Sequence, residues 1–186
     1  MTVESTSLPE VLLLTLDSYR DERGAFMELW RSSAYEDAGI PDHFVQDNLS
    51  VSRKNVLRGL HFQYPKGQAK LVSIVQGRVF DVVVDIRRGS PRFGQWTGVE
   101  LRSDRPQQLF IPEGFAHGFV SLEERTCFHY KCSSLYAPEC EHSIRWDDAE
   151  IGISWPVQSP IISEKDAAAP YLVELDDDSL PAYKHA

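Results

Sequence analysis

His61 is the first residue whose setting suggests chemistry. It lies in Val56-Leu57-Arg58-Gly59-Leu60-His61-Phe62-Gln63. In a strand, alternation sends Arg58, Leu60 and Phe62 to one side and Gly59, His61 and Gln63 to the other. A bulge near Gly59 would bring Arg58 round to the His61 side. An imidazole titrates near pH ~6.5, so it can take up a proton at working pH and return it. Standing alone among apolar residues, however, a His is more often structural. A second one, His117, closes the run Ile111-Pro112-Glu113-Gly114-Phe115-Ala116-His117. A carboxylate, Asp166, follows Ser163 by three positions in Ser163-Glu164-Lys165-Asp166-Ala167-Ala168-Ala169-Pro170. That spacing fits a helix N-cap, a role that does not exclude a second one for the acid.

The elements that must hold these groups read as strands. Arg78 to Ile86 places Phe80, Val82, Val84 and Ile86 on one face and Val79, Asp81, Val83 and Asp85 on the other. Lys70 to Val75 alternates more weakly, and Gln76-Gly77 reads as a turn that joins the two in a hairpin. Further strands are expected at Val11–Leu16, Phe44–Ser52, Trp96–Arg102, Gln107–Ile111, His117–Ser121 and Thr126–Ser133. Many short strands parted by Gly-, Pro- and Asp-rich turns predict a mainly β fold, an antiparallel barrel or jelly roll. Two short helices are expected, Ala34–Ala38 and Ser163–Ala169. The tail 171–186 carries Asp176-Asp177-Asp178 and is expected to fray. No repeat or linker divides the chain, so 1–186 reads as one domain.

The Pro-x-Gly-x-x-His turn resembles the second motif of the cupin β-barrels. In that superfamily the first motif supplies His-x-His and a downstream acid, and the set binds a metal. Here Gln63 stands at the second His position and Lys70 near the expected carboxylate. An ammonium in a ligand shell repels a cation. The resemblance therefore implies a cupin barrel that has lost its metal site, with no metal and no cofactor.

A closer resemblance spans nearly the whole chain. Asp21–Trp30 (DERGAFMELW), Phe44–Ser50, Asn55–Gln63, Gln68–Val72, Gly77–Trp96, Ile111–Phe119 and Lys165–Pro170 (KDAAAP) follow, in order, segments of the dTDP-4-dehydrorhamnose 3,5-epimerases. The family's roles then fall on particular residues. His61 resembles the general base and Asp166 the carboxylate that orients it. Tyr130 matches the proton donor on the opposite sugar face, and Lys70 the lysine near the ketone. Arg58 and Arg23 resemble diphosphate contacts. Phe26, Glu28, Gln46 and Asn48 match residues near the nucleotide, His117 a second active-site histidine and Tyr136 a tyrosine near the pocket. Residues 133–144 match less closely. The family also implies a homodimer whose Asp21–Phe26 segment reaches into the partner's nucleotide site.

The implied substrate is a dTDP-4-keto-6-deoxyhexose. Its ketone acidifies the protons on carbons 3 and 5, so a base on one face, an acid on the other and a cation at the oxygen suffice to invert both centres. Neither the base nor its carboxylate separates this reaction from inversion of carbon 3 alone. A metal-dependent cupin, a ketoisomerase on a similar barrel and a non-catalytic sugar-nucleotide binder are the other readings.

Composition sets outer bounds. The chain has 186 residues, 42% hydrophobic and 25% charged, and a net charge of −9. Such a charge disfavours nucleic acid and anionic membrane as partners, and no apolar run approaches the ~20 residues that span a bilayer. Val11–Leu16 is too short for a signal peptide's apolar region. Three cysteines without paired spacing read as reduced thiols of a cytoplasmic protein.

Overall fold

A computed structural model describes residues 1–40 and 43–183. In chain order the elements are β1 (Thr2–Ser5), β2 (Leu12–Thr15), β3 (Tyr19–Asp21), β4 (Gly24–Phe26), α1 (Ser32–Asp37), β5 (Gln46–Ser52), β6 (Leu57–Gln63) and β7 (Lys70–Gln76). They continue with β8 (Arg78–Asp85), β9 (Trp96–Arg102), β10 (Gln107–Ile111), β11 (Phe115–Ser121), β12 (Thr126–Cys132), β13 (Glu141–Ser143) and α2 (Glu164–Ala167). The strands form two facing antiparallel sheets. One has six strands in the order β1-β2-β10-β7-β12-β5, the other five in the order β13-β6-β11-β8-β9, and β3-β4 stands apart as a small hairpin. This is the mainly β, cupin-type jelly roll expected, with short helices near both expected places.

The expected hairpin between Lys70–Val75 and Arg78–Ile86 does not form. β7 pairs with β10 and β12, whereas β8 pairs with β11 and β9, so the two strands lie in opposite sheets. Gly77, at φ +86°, turns the chain from one layer into the other and packs so closely on Thr126 that a Cβ would lie 2.7 Å from its Oγ1. A Gln-Gly pair announces a change of direction, not the neighbour on which the chain lands.

Three apolar layers result. Between the sheets, Val72 and Ile74 of β7, Leu109 and Ile111 of β10 and Phe128 of β12 meet Val79 and Val83 of β8 and Phe115 and Phe119 of β11. Each large apolar side chain buried there contributes about 1.5–3 kcal/mol. Outside the five-stranded sheet, Leu60, Val82, Val84 and Ile86 are covered by Ile144, Ile151, Leu172 and Leu180. Outside the six-stranded sheet, α1 places Tyr35 against Leu14, Leu71 and Phe110.

The tail does not fray as expected. Leu172 and Leu180 are buried in the second layer, the Tyr183 amide donates to the Arg88 carbonyl (2.8 Å) and the Arg88 amide to that of Pro181 (2.8 Å). The Arg87 guanidinium stacks between the rings of Phe115 and Tyr183. The aspartates that suggested fraying face solvent, while the leucines around them anchor the segment. Residues 184–186 of the expected tail lie outside the described residues.

Candidate active site

His61 and Arg58 reach the same space through an irregularity in β6. Its pairing with β11 runs His117↔His61 and then Phe119↔Arg58, so β6 carries one extra residue there. Gly59 permits it. Its φ is +123°, and a Cβ would lie 2.5 Å from the Gly118 Cα and 2.8 Å from the His117 carbonyl oxygen. The bulge expected at Gly59 is therefore present, and two strand backbones nearly touch beside the histidine.

Between the sheets lies a cavity of about 440 Å³, lined by Arg58, His61, Lys70, His117, Tyr130 and Asp166 among others. The size suits a small organic ligand or part of a larger one. Its walls come from different layers: His61 and His117 from the five-stranded sheet, Lys70 and Tyr130 from the six-stranded one.

Asp166 arrives from the opposite end of the chain. The Ser163 Oγ accepts the Asp166 amide (3.1 Å) and starts α2, as the spacing predicted. Rather than closing the cap, the Asp166 carboxylate turns inward. Its Oδ1 lies 2.7 Å from His61 Nε2 and its Oδ2 accepts the Gly59 amide at 3.5 Å. Burial pushes this carboxyl upward, but the His61 hydrogen bond and charge, with the Gly59 and Ser163 contacts, outweigh it and hold the group below the usual carboxylate range.

A second pair sits deeper. His117 Nε2 lies 2.9 and 3.1 Å from the two oxygens of Asp81, whose side chain is wholly buried. Burial pushes the Asp81 carboxyl up against the pull of His117 and Lys70. It also pushes the His117 imidazole down, with Lys70 and His61 adding to the effect and Asp81 opposing it. Burial likewise lowers the Lys70 ammonium, opposed by Cys132, Asp81 and Glu141. The Tyr130 phenol is raised, chiefly by burial, so it keeps its proton. Phe119 and Phe128 stack with ring centroids 3.9 Å apart and wall the cavity apolarly between the sheets.

The other expected residues are placed unequally. Gln46 and Asn48 share the inward row of β5 with Ser50, which lines the cavity, and Gln46 Nε2 donates to Asn48 Oδ1 (3.0 Å). Gln46 Oε1 also accepts the Tyr136 amide (2.8 Å). The Tyr136 phenol donates to Glu141 Oε2 (3.0 Å), which also accepts from Lys165, a cavity residue. Tyr136 thus stands on the rim, half exposed. Arg23, Phe26 and Glu28 are not brought to this cavity. Arg23 pairs with Asp21 (2.5 Å) on the β3-β4 hairpin, its side chain 90% exposed, Glu28 pairs with Arg31, and the Phe26 ring is open to solvent.

Sequence reasoning missed Asp81, Ser50, Glu141 and Lys165. Only Asp81 left a signal, a carboxylate between Val79 and Val83 on a strand face that must be buried. No group of three His, Cys, Asp or Glu side chains able to hold a metal ion occurs among the described residues. No helix among them is long and apolar enough to cross a membrane.

Fold and cavity together define a cupin-type β-sandwich whose inter-sheet cavity gathers two histidine–carboxylate pairs, a lysine and a tyrosine. Residues 5–174 match the model of the dTDP-4-dehydrorhamnose 3,5-epimerase family, and the chain belongs to that family. It is 53% identical to the dTDP-4-dehydrorhamnose 3,5-epimerase of Salmonella typhimurium over 92% of this chain and 96% of that one. Among solved structures it resembles a Legionella pneumophila dTDP-6-deoxy-D-glucose-3,5-epimerase in complex with dTDP-4-keto-L-rhamnose (TM-score 0.96, 47% identity, 99% of each chain). A 3'-monoepimerase from Streptomyces bikiniensis, in complex with dTDP-quinovose, has the same fold (TM-score 0.91, 34% identity, 97% of this chain and 93% of that one).

Proposed function

We propose that this enzyme inverts carbons 3 and 5 of a dTDP-4-keto-6-deoxyhexose without a metal. The observation that carries the reading is one cavity with His61, backed by Asp166, on one sheet and Tyr130 on the other. With Nε2 engaged by the carboxylate, His61 has Nδ1 left to take the acidic proton beside the ketone. The Asp166 carboxylate then stabilises the imidazolium formed. Lys70 supplies positive charge where the enolate oxygen becomes negative, the electrostatic contribution that is usually largest. Tyr130 returns a proton from the other face, and its raised phenol keeps that proton available until a carbanion-like centre forms. Arg58 provides a cation for the diphosphate.

Inversion of carbon 3 alone is the second reading, favoured by the likeness to the 3'-monoepimerase. Incubating the enzyme with dTDP-4-keto-6-deoxyglucose in heavy water separates the two. Deuterium at carbons 3 and 5 is the expected result. One label, at carbon 3, establishes the second reading, and binding without any label makes the chain a sugar-nucleotide binder.

The working form is a homodimer. Leu49 and Val51 are exposed on edge strand β5, and Tyr19 and Phe26 on the projecting hairpin. Both features suit coverage by a second copy, in which Arg23, Phe26 and Glu28 would complete the partner's nucleotide site. Three free thiols, two of them buried, fit a reducing cytoplasm. The tail packs on the sandwich, which supports a single domain.

A further inference from the structure

We propose that Asp81 is a positioning residue of this site, holding His117 with its proton on Nε2, so that Nδ1 offers an acceptor to the ligand, and supplying the buried negative charge that faces Lys70. The proposal rests on the epimerase reading for its purpose, though not for its geometry. Asp81 sits on the inner face of β8 between Val79 and Val83, with no exposed side-chain surface. A carboxyl buried among valines costs several kcal/mol unless it is compensated, and an apolar residue would fill the position better. Its hydrogen-bond partner is a single nitrogen, His117 Nε2, nearly equidistant from both oxygens at 2.9 and 3.1 Å. Both oxygens thus lie within reach of the one ring nitrogen. The ring's Nδ1 makes no hydrogen bond among the described residues, and the ring lines the cavity.

Lys70 needs such a charge. It lines the same cavity and makes no ion pair or hydrogen bond among the described residues. The groups that face it are Asp81 from β8, His117 from β11, Cys132 from β12 and Glu141 from β13. Glu141 is already engaged by Lys165 and Tyr136, and Cys132 is a buried thiol whose pKa burial raises. Asp81 is therefore the carboxylate left to balance the ammonium. Asp81 is engaged by His117, and Lys70 lines the cavity without an ion pair of its own among the described residues.

The test is a nuclear magnetic resonance titration of the ligand-free protein, with ¹⁵N-labelled histidine and ¹³C-labelled lysine, in the wild type and Asp81→Asn. In the wild type His117 should show the Nε2–H tautomer. In Asp81→Asn the Lys70 titration should move down by about one to three pH units, since an opposite charge has been removed. The basic limb of turnover should follow it, with kcat falling more than KM rises. A wild-type His117 carrying its proton on Nδ1, or a Lys70 titration unmoved in Asp81→Asn, overturns the proposal. The tautomer is read without any variant, so poor folding of Asp81→Asn cannot shelter it. None of these spectra needs substrate. If they come out as expected while heavy-water exchange fails, the epimerase reading falls and the charge arrangement stands.

Discussion

His61 and His117 lie opposite each other on adjacent strands, each with a carboxylate at Nε2, yet the two pairs are built differently. His61 keeps 31% of its side chain exposed and meets an acid delivered by a capped helical turn 105 residues away. That acid collects two further contacts and is held ionised. His117 is almost wholly enclosed, and its acid comes from a core strand with no other hydrogen-bond partner, so burial pushes the carboxyl upward. Identical residue types thus yield a pair open to the cavity and a pair sealed almost wholly from solvent. Access and the number of compensating contacts decide which.

Removing the open pair's imidazole should have the largest effect. His61→Ala should reduce solvent deuterium incorporation at both carbons by about 10²–10⁴-fold, the usual worth of a general base. Binding of dTDP, measured by calorimetry, should change only a few-fold. Equal losses in binding and exchange would mean that His61 holds ligand and moves no proton.

A third buried carboxylate sharpens the contrast. Asp85 lies four residues beyond Asp81 on the same face of β8 and is equally buried. It accepts from Arg87 Nε (2.9 Å) and Nη2 (2.7 Å) and from Ser90 Oγ (2.6 Å). Burial raises it, but those contacts prevail and its carboxyl is lowered. Arg87 and its partners anchor the tail through Tyr183. Asp85→Ala should therefore cost stability, about 3–5 kcal/mol as for a broken buried ion pair, measured by urea unfolding. Turnover per folded molecule should hold. A stable Asp85→Ala with damaged kcat would erase the distinction between structural and functional acids on this strand.

Much of this was legible beforehand, for identifiable reasons. β9 and β10 match their expected spans, Trp96–Arg102 and Gln107–Ile111, because turn residues punctuate both ends. β1, β3, β4 and β13 have only three or four residues each, exposed or half-buried, and pairing with a neighbour rather than pattern makes them strands. The Asp166 helix cap was readable from spacing. Its partnership with His61, across 105 residues, came only through family resemblance. Asp81 was visible as an acid on an apolar face, but alternation could not name His117 as its partner, since strand order decides that.

The smallest expected effect concerns the open pair again and has a definite sign. The Asp166 carboxyl is held below its unfolded value of about 3.9. A lowered carboxyl contributes stability above the unfolded pKa and loses it as pH falls through the folded one. Asp166→Asn should therefore be less stable than wild type by about 1 kcal/mol at pH 5–7, the usual net worth of a hydrogen bond. The gap should close below pH ~4, as the wild-type carboxyl takes up its proton. Turnover at neutral pH should drop about tenfold, the rate equivalent of losing one orienting hydrogen bond worth ~1.4 kcal/mol, less than for His61→Ala. Urea unfolding of both proteins between pH 3 and 7 reads the stability difference. A gap that widens in acid would mean that the Asp166 carboxyl gains stability on protonation, the reverse of a group held below its ordinary value.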